Sequence, residues 1–314
     1  MKLLAPHQTI QTHNEKEKFL VELFDTLYAR YRSRMEYVRK YEEVVKAHGA
    51  VFFNDHIAFR TIAADGPATG IFMISRIFEA LGYSSANAYE FPDKHLSSIH
   101  YQHPNPQFPK IFITQLKSWE LSAASLQIIR KAFRTHRPSL TDPFLRDLYD
   151  LEGTSAASRA KLLEALVRYF EKLPWDLPHK ADILALDKES QYGAWVLVNG
   201  YDVNHFTASV NSHNVDSLND IEKLISEMRK AGIPMKKEIE GERGTKLRQS
   251  STESAVIDVH VKDGSKTVKI PWTYAYFEIA ERPLVKNPAT GEMERFEGFL
   301  GGQATNLFEM TKRK

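Results

Sequence analysis

One order of elements, strand–helix–strand–strand–strand, occurs twice along this chain and constrains the fold more than any other feature. In the first half, apolar periodicity predicts a strand, a helix ended by Gly82 and three further strands, at residues 55–62, 67–81, 86–91, 98–103 and 110–116. The second half predicts the same order with two additional strands: strands at 194–199 and 203–211, a helix ended by Gly232, and strands at 235–240, 246–249, 255–262 and 266–280. The pattern favours an α+β fold built from two related modules.

Helical segments precede and separate the two modules. Residues 15–48 have apolar side chains at three- and four-residue spacing, which predicts one long helix or two stacked ones. Residues 121–134 and 155–173 are also helical by periodicity, between loops punctuated by proline. We therefore divide the chain into an N-terminal helical segment (1–50), a first module (51–117), a helical insertion (118–190) and a second module with a closing segment (191–314).

The composition excludes several kinds of site and partner. The 314 residues include 12 His and no Cys, so disulfides, iron–sulfur clusters and a Cys nucleophile are excluded, and any metal must be bound by nitrogen or oxygen. The net charge of +2 and the absence of a long apolar run predict neither a nucleic-acid partner nor a membrane span. We expect a cytoplasmic protein, or an organellar one whose transit peptide has been removed, and leave the oligomeric state open.

Three residues far apart in the chain suggest a metal site. His56 and His205 lie near the starts of corresponding strands in the two modules, so a pseudo-twofold arrangement would bring both imidazoles to one central cavity. Glu278 lies in an apolar, aromatic strand, where a carboxylate is costly unless it is paired. Two imidazoles and one carboxylate form the set that binds non-haem Fe(II). The alternative is two hydrogen-bonded core histidines and an ion-paired glutamate.

Arg60 shares a strand face with His56, four residues earlier. At ~3.3 Å per residue the two side chains are about 13 Å apart along the strand. A metal at His56 and the guanidinium of Arg60 could therefore bind opposite ends of a short 2-oxo dicarboxylate. The alternative is a buried arginine paired with an acidic neighbour.

Several segments of the chain resemble one known family. NDHIAFRT (54–61), VNHFT (203–207) and YFEIAER (276–282) resemble segments of the 2-oxoadipate dioxygenase/decarboxylase family. The closing stretch, residues 297–309, is similar to the C-terminal signature of this family. This family includes bacterial 2-hydroxyglutarate synthases and plant proteins of lysine breakdown, and the resemblance spans about residues 15–310.

The resemblance implies a vicinal-oxygen-chelate-like fold, in which paired βαβββ modules form a central sheet or half-barrel with added helices. It implies that Fe(II) is bound by His56, His205 and Glu278, and that Arg60 binds substrate and is catalytic. The implied reaction converts 2-oxoadipate and O₂ to (R)-2-hydroxyglutarate and CO₂.

Two additional residues are candidates for substrate contacts, and two other functions remain open. Gln249 and Ser250 could contact substrate from the opposite wall, or could simply form a polar strand end. Phe299, in a glycine-rich loop at 298–302, could exclude water from the site. The alternative functions are a glyoxalase-like metal-dependent lyase or isomerase and a non-catalytic small-molecule binding protein.

Overall fold

The computed structural model describes residues 5–66, 69–288, 290–300 and 311. Its helices are α1 (Glu15–Arg34), α2 (Glu36–Ala47), α3 (Ile71–Ala80), α4 (Ala123–Phe133), α5 (Asp142–Tyr149), α6 (Ala156–Glu171), α7 (Lys180–Glu189), α8 (Gln191–Asn199) and α9 (Ile221–Lys230). Its strands are β1 (Asn54–Ala63), β2 (Ser84–Phe91), β3 (Leu96–Gln102), β4 (Lys110–Lys117), β5 (Val203–Ser209), β6 (Arg248–Ser251), β7 (Val256–Asp263), β8 (Lys266–Thr273), β9 (Glu278–Glu281), β10 (Leu284–Lys286) and β11 (Met293–Arg295).

The two modules meet in one curled, mixed sheet. In the part of the chain that the structure describes, its strand order is β2-β3-β4-β1-β5-β9-β6. The first module contributes β1, α3, β2, β3 and β4, in the predicted order. β1 pairs in antiparallel fashion with β5, so the modules join at the centre of the sheet. The prediction of an α+β fold with a central half-barrel is confirmed.

The structure corrects the predicted strand at residues 194–199, which is part of the helix α8. Every residue from 192 to 199 is buried. A helix that is buried on all sides is apolar on all sides and therefore lacks the 3.6-residue periodicity that reveals an amphipathic helix. Over so short a run, periodicity does not distinguish it from a buried strand.

Two further predicted strands differ from the structure. Residues 235–240 form only isolated pairs, Met235 with Thr252 and Glu240 with Gln249. The strand predicted over 266–280 is divided into β8, which pairs with β7 in a separate hairpin, and β9, which joins the main sheet. Between them, the carbonyl of Tyr274 accepts a hydrogen bond from Trp195 of α8, and that of Tyr276 accepts one from Tyr31 of α1, which satisfies backbone groups outside a ladder.

The sheet face opposite the predicted metal site is covered by α1. Phe206 of β5 points to this face, because it alternates with its neighbour His205. Its ring centroid lies 5.2 Å from that of Tyr28 and 5.0 Å from that of Tyr31, both on α1. All three side chains are at most 2% exposed. This aromatic packing anchors β5 against α1 and so supports the residues on the opposite face of the strand.

Truncation of Phe206 should test how strongly this packing supports the fold. Because the ring is buried, Phe206→Ala should lower the free energy of unfolding by about 3–5 kcal/mol. Urea denaturation followed by circular dichroism measures the change. Val256→Ala, at a side chain that is 60% exposed, should change it by less than about 0.5 kcal/mol. A loss at Phe206 as small as that at Val256 would contradict this description of the core.

Candidate metal centre

Three adjacent strands bring His56, His205 and Glu278 together. β1, β5 and β9 are neighbours in the sheet, and Thr207 of β5 is in register with His56 on one side and Glu278 on the other. One ligand atom from each of the three residues lies within 4.8 Å of the others, and all three residues are buried. Within the described residues they form the one group of histidine and carboxylate side chains with this spacing.

The distances between the candidate ligand atoms suit a shared divalent cation. The Nε2 atoms of His56 and His205 are 3.4 Å apart. The carboxylate oxygens of Glu278 lie 3.3 Å from the first and 3.5 Å from the second. Two ligands that each lie ~2.1 Å from one ion at right angles are about 3 Å apart. Oε2 of Glu278 is buried without a hydrogen-bond partner, which also fits an oxygen that binds a cation.

A β-bulge at each histidine explains its orientation. The register between β1 and β5 shifts between Asn54 and His56, and again opposite Ala58 and Phe59, where β5 carries its histidine. At these bulges the residue before each histidine reaches back to the ring. Oδ1 of Asp55 lies 2.8 Å from Nδ1 of His56, and Oδ1 of Asn204 lies 3.0 Å from Nδ1 of His205. Bulges commonly re-aim side chains in this way beside functional sites.

These contacts leave the other nitrogen of each ring for the metal. When Nδ1 donates its proton to the Asp or Asn oxygen, Nε2 carries the lone pair that faces the cluster. Burial lowers the pKa of His56, but hydrogen bonds to Asp55 and Glu278 outweigh it and raise that pKa overall. Burial, together with the nearby His56 and Arg60, holds the pKa of His205 well below its usual value. His205 is therefore a neutral imidazole, the form that binds metals.

Sequence reasoning missed Asp55 and Asn204 as orienting residues. Their only signal was the same pattern, a carboxylate or amide residue followed by His, at corresponding positions of both modules. It also missed Arg282, which donates two hydrogen bonds to Asp55 at 2.7 and 2.9 Å. Although burial alone would raise the pKa of Asp55, the positive charge of Arg282 holds it well below the usual range. The carboxylate of Asp55 is therefore ionised, and the positive charge of Arg282 balances its negative charge.

Arg60 lines the same cavity as the three candidate ligands, as its position on β1 predicted. Its guanidinium carbon lies 4.9 Å from the ring centroid of Tyr192 and 5.1 Å from that of Trp195. Nη1 donates to the hydroxyl of Thr311 at 2.6 Å, Nη2 is buried without a hydrogen bond of good geometry, and the phenol of Tyr276 also interacts with the guanidinium. None of the ion pairs among the described residues includes Arg60, and burial lowers its pKa. The structure therefore does not support the alternative in which Arg60 is paired with an acidic neighbour. Its buried guanidinium could bind the carboxylate of a ligand.

Gln249 and Ser250 lie on β6 but point in different directions. Gln249 lines the cavity, and its Nε2 donates to Oε1 of Glu278 at 2.6 Å. The hydroxyl of Ser250 donates to the carbonyl of Glu238 and does not line the cavity. The visible role of Gln249 is to hold the candidate ligand. A substrate contact from either residue remains a prediction.

Three other histidines, His95, His100 and His260, lie outside the cluster. His100 is buried beside Phe299, with ring centroids 5.2 Å apart, and burial lowers its pKa to about 4. His95 is half-buried and lies 3.1 Å from Glu120, and His260 is exposed on the β7–β8 hairpin. Phe299 lies directly over the site, as the sequence suggested, with its ring centroid 4.9 Å from that of His56. Residues 301–302 of the glycine-rich loop and 307–309 of the C-terminal signature lie outside the described residues.

A comparison with models of protein families assigns this chain to one family. The model of the 2-oxoadipate dioxygenase/decarboxylase family matches residues 18–293. The chain belongs to this family. A family member from Arabidopsis thaliana, named 2-oxoadipate dioxygenase/decarboxylase, chloroplastic, is 31% identical over 280 residues, which cover 82% of this chain and 67% of that protein. The plastid name of this relative accords with the organellar alternative.

Two solved structures share the fold. The hydroxyglutarate synthase of Oryza sativa, determined in complex with 2-oxoadipate, superposes with a TM-score of 0.77 and 26% identity, covering 99% of this chain and 97% of that one. A glyoxalase superfamily protein from Ralstonia eutropha JMP134 gives a TM-score of 0.80 at 21% identity, covering 95% of this chain and 92% of that one. The second likeness establishes the vicinal-oxygen-chelate type of fold. Among the described helices, none combines the length and apolarity needed to cross a bilayer.

Proposed function

We propose that this chain is an Fe(II)-dependent dioxygenase/decarboxylase that converts 2-oxoadipate and O₂ to (R)-2-hydroxyglutarate and CO₂. The observation that carries the proposal is the convergence of His56, His205, Glu278 and Arg60 on one cavity. Family membership supports the reaction type, and the complex of the Oryza sativa relative with 2-oxoadipate supports the substrate.

The reaction balances without any second oxidisable substrate. 2-Oxoadipic acid, C₆H₈O₅, and O₂ give 2-hydroxyglutaric acid, C₅H₈O₅, and CO₂. The bond between C1 and C2 breaks and C1 leaves as CO₂. One oxygen atom of O₂ enters the new carboxylate at the former C2, and the other becomes the hydroxyl on the adjacent carbon.

The proposed roles of the residues follow from their positions. His56, His205 and Glu278 would hold the ion, which when bound supplies electrons for O₂ reduction and open positions for the oxygens of a 2-oxo acid. The guanidinium of Arg60 would bind the distal carboxylate and so fix which carbon lies at the reacting end. Phe299, packed over His56, would exclude water from the cavity.

Anaerobic reconstitution with Fe(II) followed by an oxygen electrode tests the proposal. One O₂ should be consumed for each 2-oxoadipate, and with ¹⁸O₂ the product should gain two labelled oxygens, one in the new carboxylate and one in the hydroxyl. 2-Oxohexanoate, which lacks the distal carboxylate, serves as the matched control and should react poorly. Turnover without O₂ in the presence of Zn²⁺ or Ni²⁺ would favour the glyoxalase-like alternative. A chain that binds no metal would favour the non-catalytic one.

A further inference from the structure

We propose that Arg282 is a positioning residue that acts at both sides of the reaction cavity. Through Asp55 it orients the metal ligand His56, and through the backbone of residues 296–298 it holds Phe299 over the same site. This inference rests on the proposed metal site. It goes beyond it by assigning to one guanidinium both the orientation of a ligand and the covering of the pocket.

The contacts toward the metal ligand are direct and buried. Arg282 is 2% exposed, and its Nε and Nη2 donate to the two carboxylate oxygens of Asp55 at 2.7 and 2.9 Å. This bidentate pair fixes the carboxylate in its plane. Oδ1 of Asp55 in turn accepts from Nδ1 of His56 at 2.8 Å. A rotation of the guanidinium therefore moves the acceptor that sets the orientation of the imidazole.

The remaining edge of the same guanidinium holds the covering segment. Nη1 donates to the carbonyls of Phe296 at 2.8 Å and Gly298 at 2.7 Å. The guanidinium carbon also lies 5.1 Å from the ring centroid of Phe299. That ring packs edge-on against His56 at 4.9 Å and 89°. Arg282 therefore contacts both the carboxylate of Asp55, which orients His56, and the ring of Phe299, which covers the site.

The cavity is small compared with the substrate that it is proposed to hold. Its volume is about 40 Å³, whereas pockets that hold a small organic ligand commonly measure ~300 Å³ or more. A six-carbon diacid therefore needs a wider cavity, and Phe299 and Leu300 are part of the wall that bounds it. Because Arg282 bonds to the segment and to Asp55 at once, a movement of this part of the wall would bear on the carboxylate that orients His56.

Substituting Arg282 in the purified protein tests both its contacts toward the metal ligand and its contacts to the covering segment. Arg282→Lys keeps the charge but loses the planar fork, so it should raise the Kd for Co²⁺, used as a spectroscopic substitute, by about 10–100-fold. It should also change the visible Co²⁺ spectrum and raise KM for 2-oxoadipate more than it lowers kcat. Arg295→Lys is the matched control. Arg295 directly precedes the covering segment and donates to the carbonyl of Arg282 without contacting Asp55, so the Kd of this variant for Co²⁺ should stay within about twofold of the wild type.

Asp55→Asn distinguishes the contact of Arg282 toward the metal ligand from its contacts to the covering segment. It should raise the Kd for Co²⁺ and leave KM nearly unchanged, since the bonds from Arg282 to the segment remain. In the double variant with Arg282→Lys, the two effects on Kd should not add, because both act through one carboxylate. Additive effects, or an unchanged Kd in either single variant, would overturn the proposal. If Arg282→Lys does not fold, an unchanged Kd in Asp55→Asn would still overturn the proposal, because Arg282 is proposed to act on His56 through that carboxylate. Wild-type protein that binds no Co²⁺ or Fe²⁺ would instead refute the metal site itself.

Discussion

Glu278→Gln should abolish turnover of 2-oxoadipate and weaken Fe(II) binding by about a thousandfold. The substitution keeps the shape of the side chain but removes the anionic oxygen that lies 3.3 Å from Nε2 of His56. Removing one member of a buried charged set costs about 4 kcal/mol, which corresponds to that factor in Kd. Calorimetric titration with Fe(II) under anaerobic conditions measures the affinity, and oxygen uptake measures turnover.

A remote carboxylate provides the control for this substitution. Glu42 of α2 is also buried, at 6% exposure, but it pairs with Tyr28 and Arg32 of α1. Glu42→Gln should therefore bind Fe(II) as tightly as the wild type, even if it is less stable. His56→Ala and His205→Ala should lose the metal as Glu278→Gln does. Retention of a tightly bound ion in any of these three variants would remove that residue from the ligand set.

Arg60→Met should raise KM for 2-oxoadipate by roughly a hundredfold or more while leaving Fe(II) affinity within about twofold. A charge-assisted, bidentate contact to a carboxylate is worth ~3 kcal/mol when it is buried. The same substitution should stabilise the ligand-free protein by about 1–2 kcal/mol, because it removes a buried cation whose Nη2 has no hydrogen bond of good geometry. Opposite changes in stability and activity are the signature expected of a binding residue.

Steady-state kinetics with two substrates and urea denaturation check this pair of effects. 2-Oxohexanoate lacks the distal carboxylate, so Arg60→Met should lower its turnover much less than that of 2-oxoadipate. Arg168→Met is the control, since Arg168 forms an exposed pair with Glu164 and should change neither measurement. Equal losses on both substrates would show that Arg60 does not recognise the distal carboxylate.

The candidate ligands could be predicted because each depends on a local rule. Strand alternation placed His56 and Arg60 on one face, and the repeat of modules placed His205 opposite them. The cost of burying Glu278 in an apolar strand suggested that it has a partner. These rules apply even though the strand predicted around Glu278 is broken at residues 274–277, because only the four residues of β9 are needed to aim it.

The orienting shell could not be predicted because it depends on departures from those rules. A bulge breaks strand alternation, and its position depends on the pairing partner, so the repeated pattern of an acidic or amide residue before His does not by itself indicate that Asp55 reaches the ring of His56. The pairing of Asp55 with Arg282 joins residues 227 positions apart. The helix α8 was missed for another reason, since uniform burial removes the periodicity from which helices are recognised.

Anomalous diffraction at the iron edge, from crystals grown anaerobically with Fe(II), tests the central claim most directly. We expect a single strong peak per chain at ~2.0–2.2 Å from Nε2 of His56, Nε2 of His205 and a carboxylate oxygen of Glu278. A peak bound by other residues, or no peak at a metal concentration well above the Kd, would contradict it.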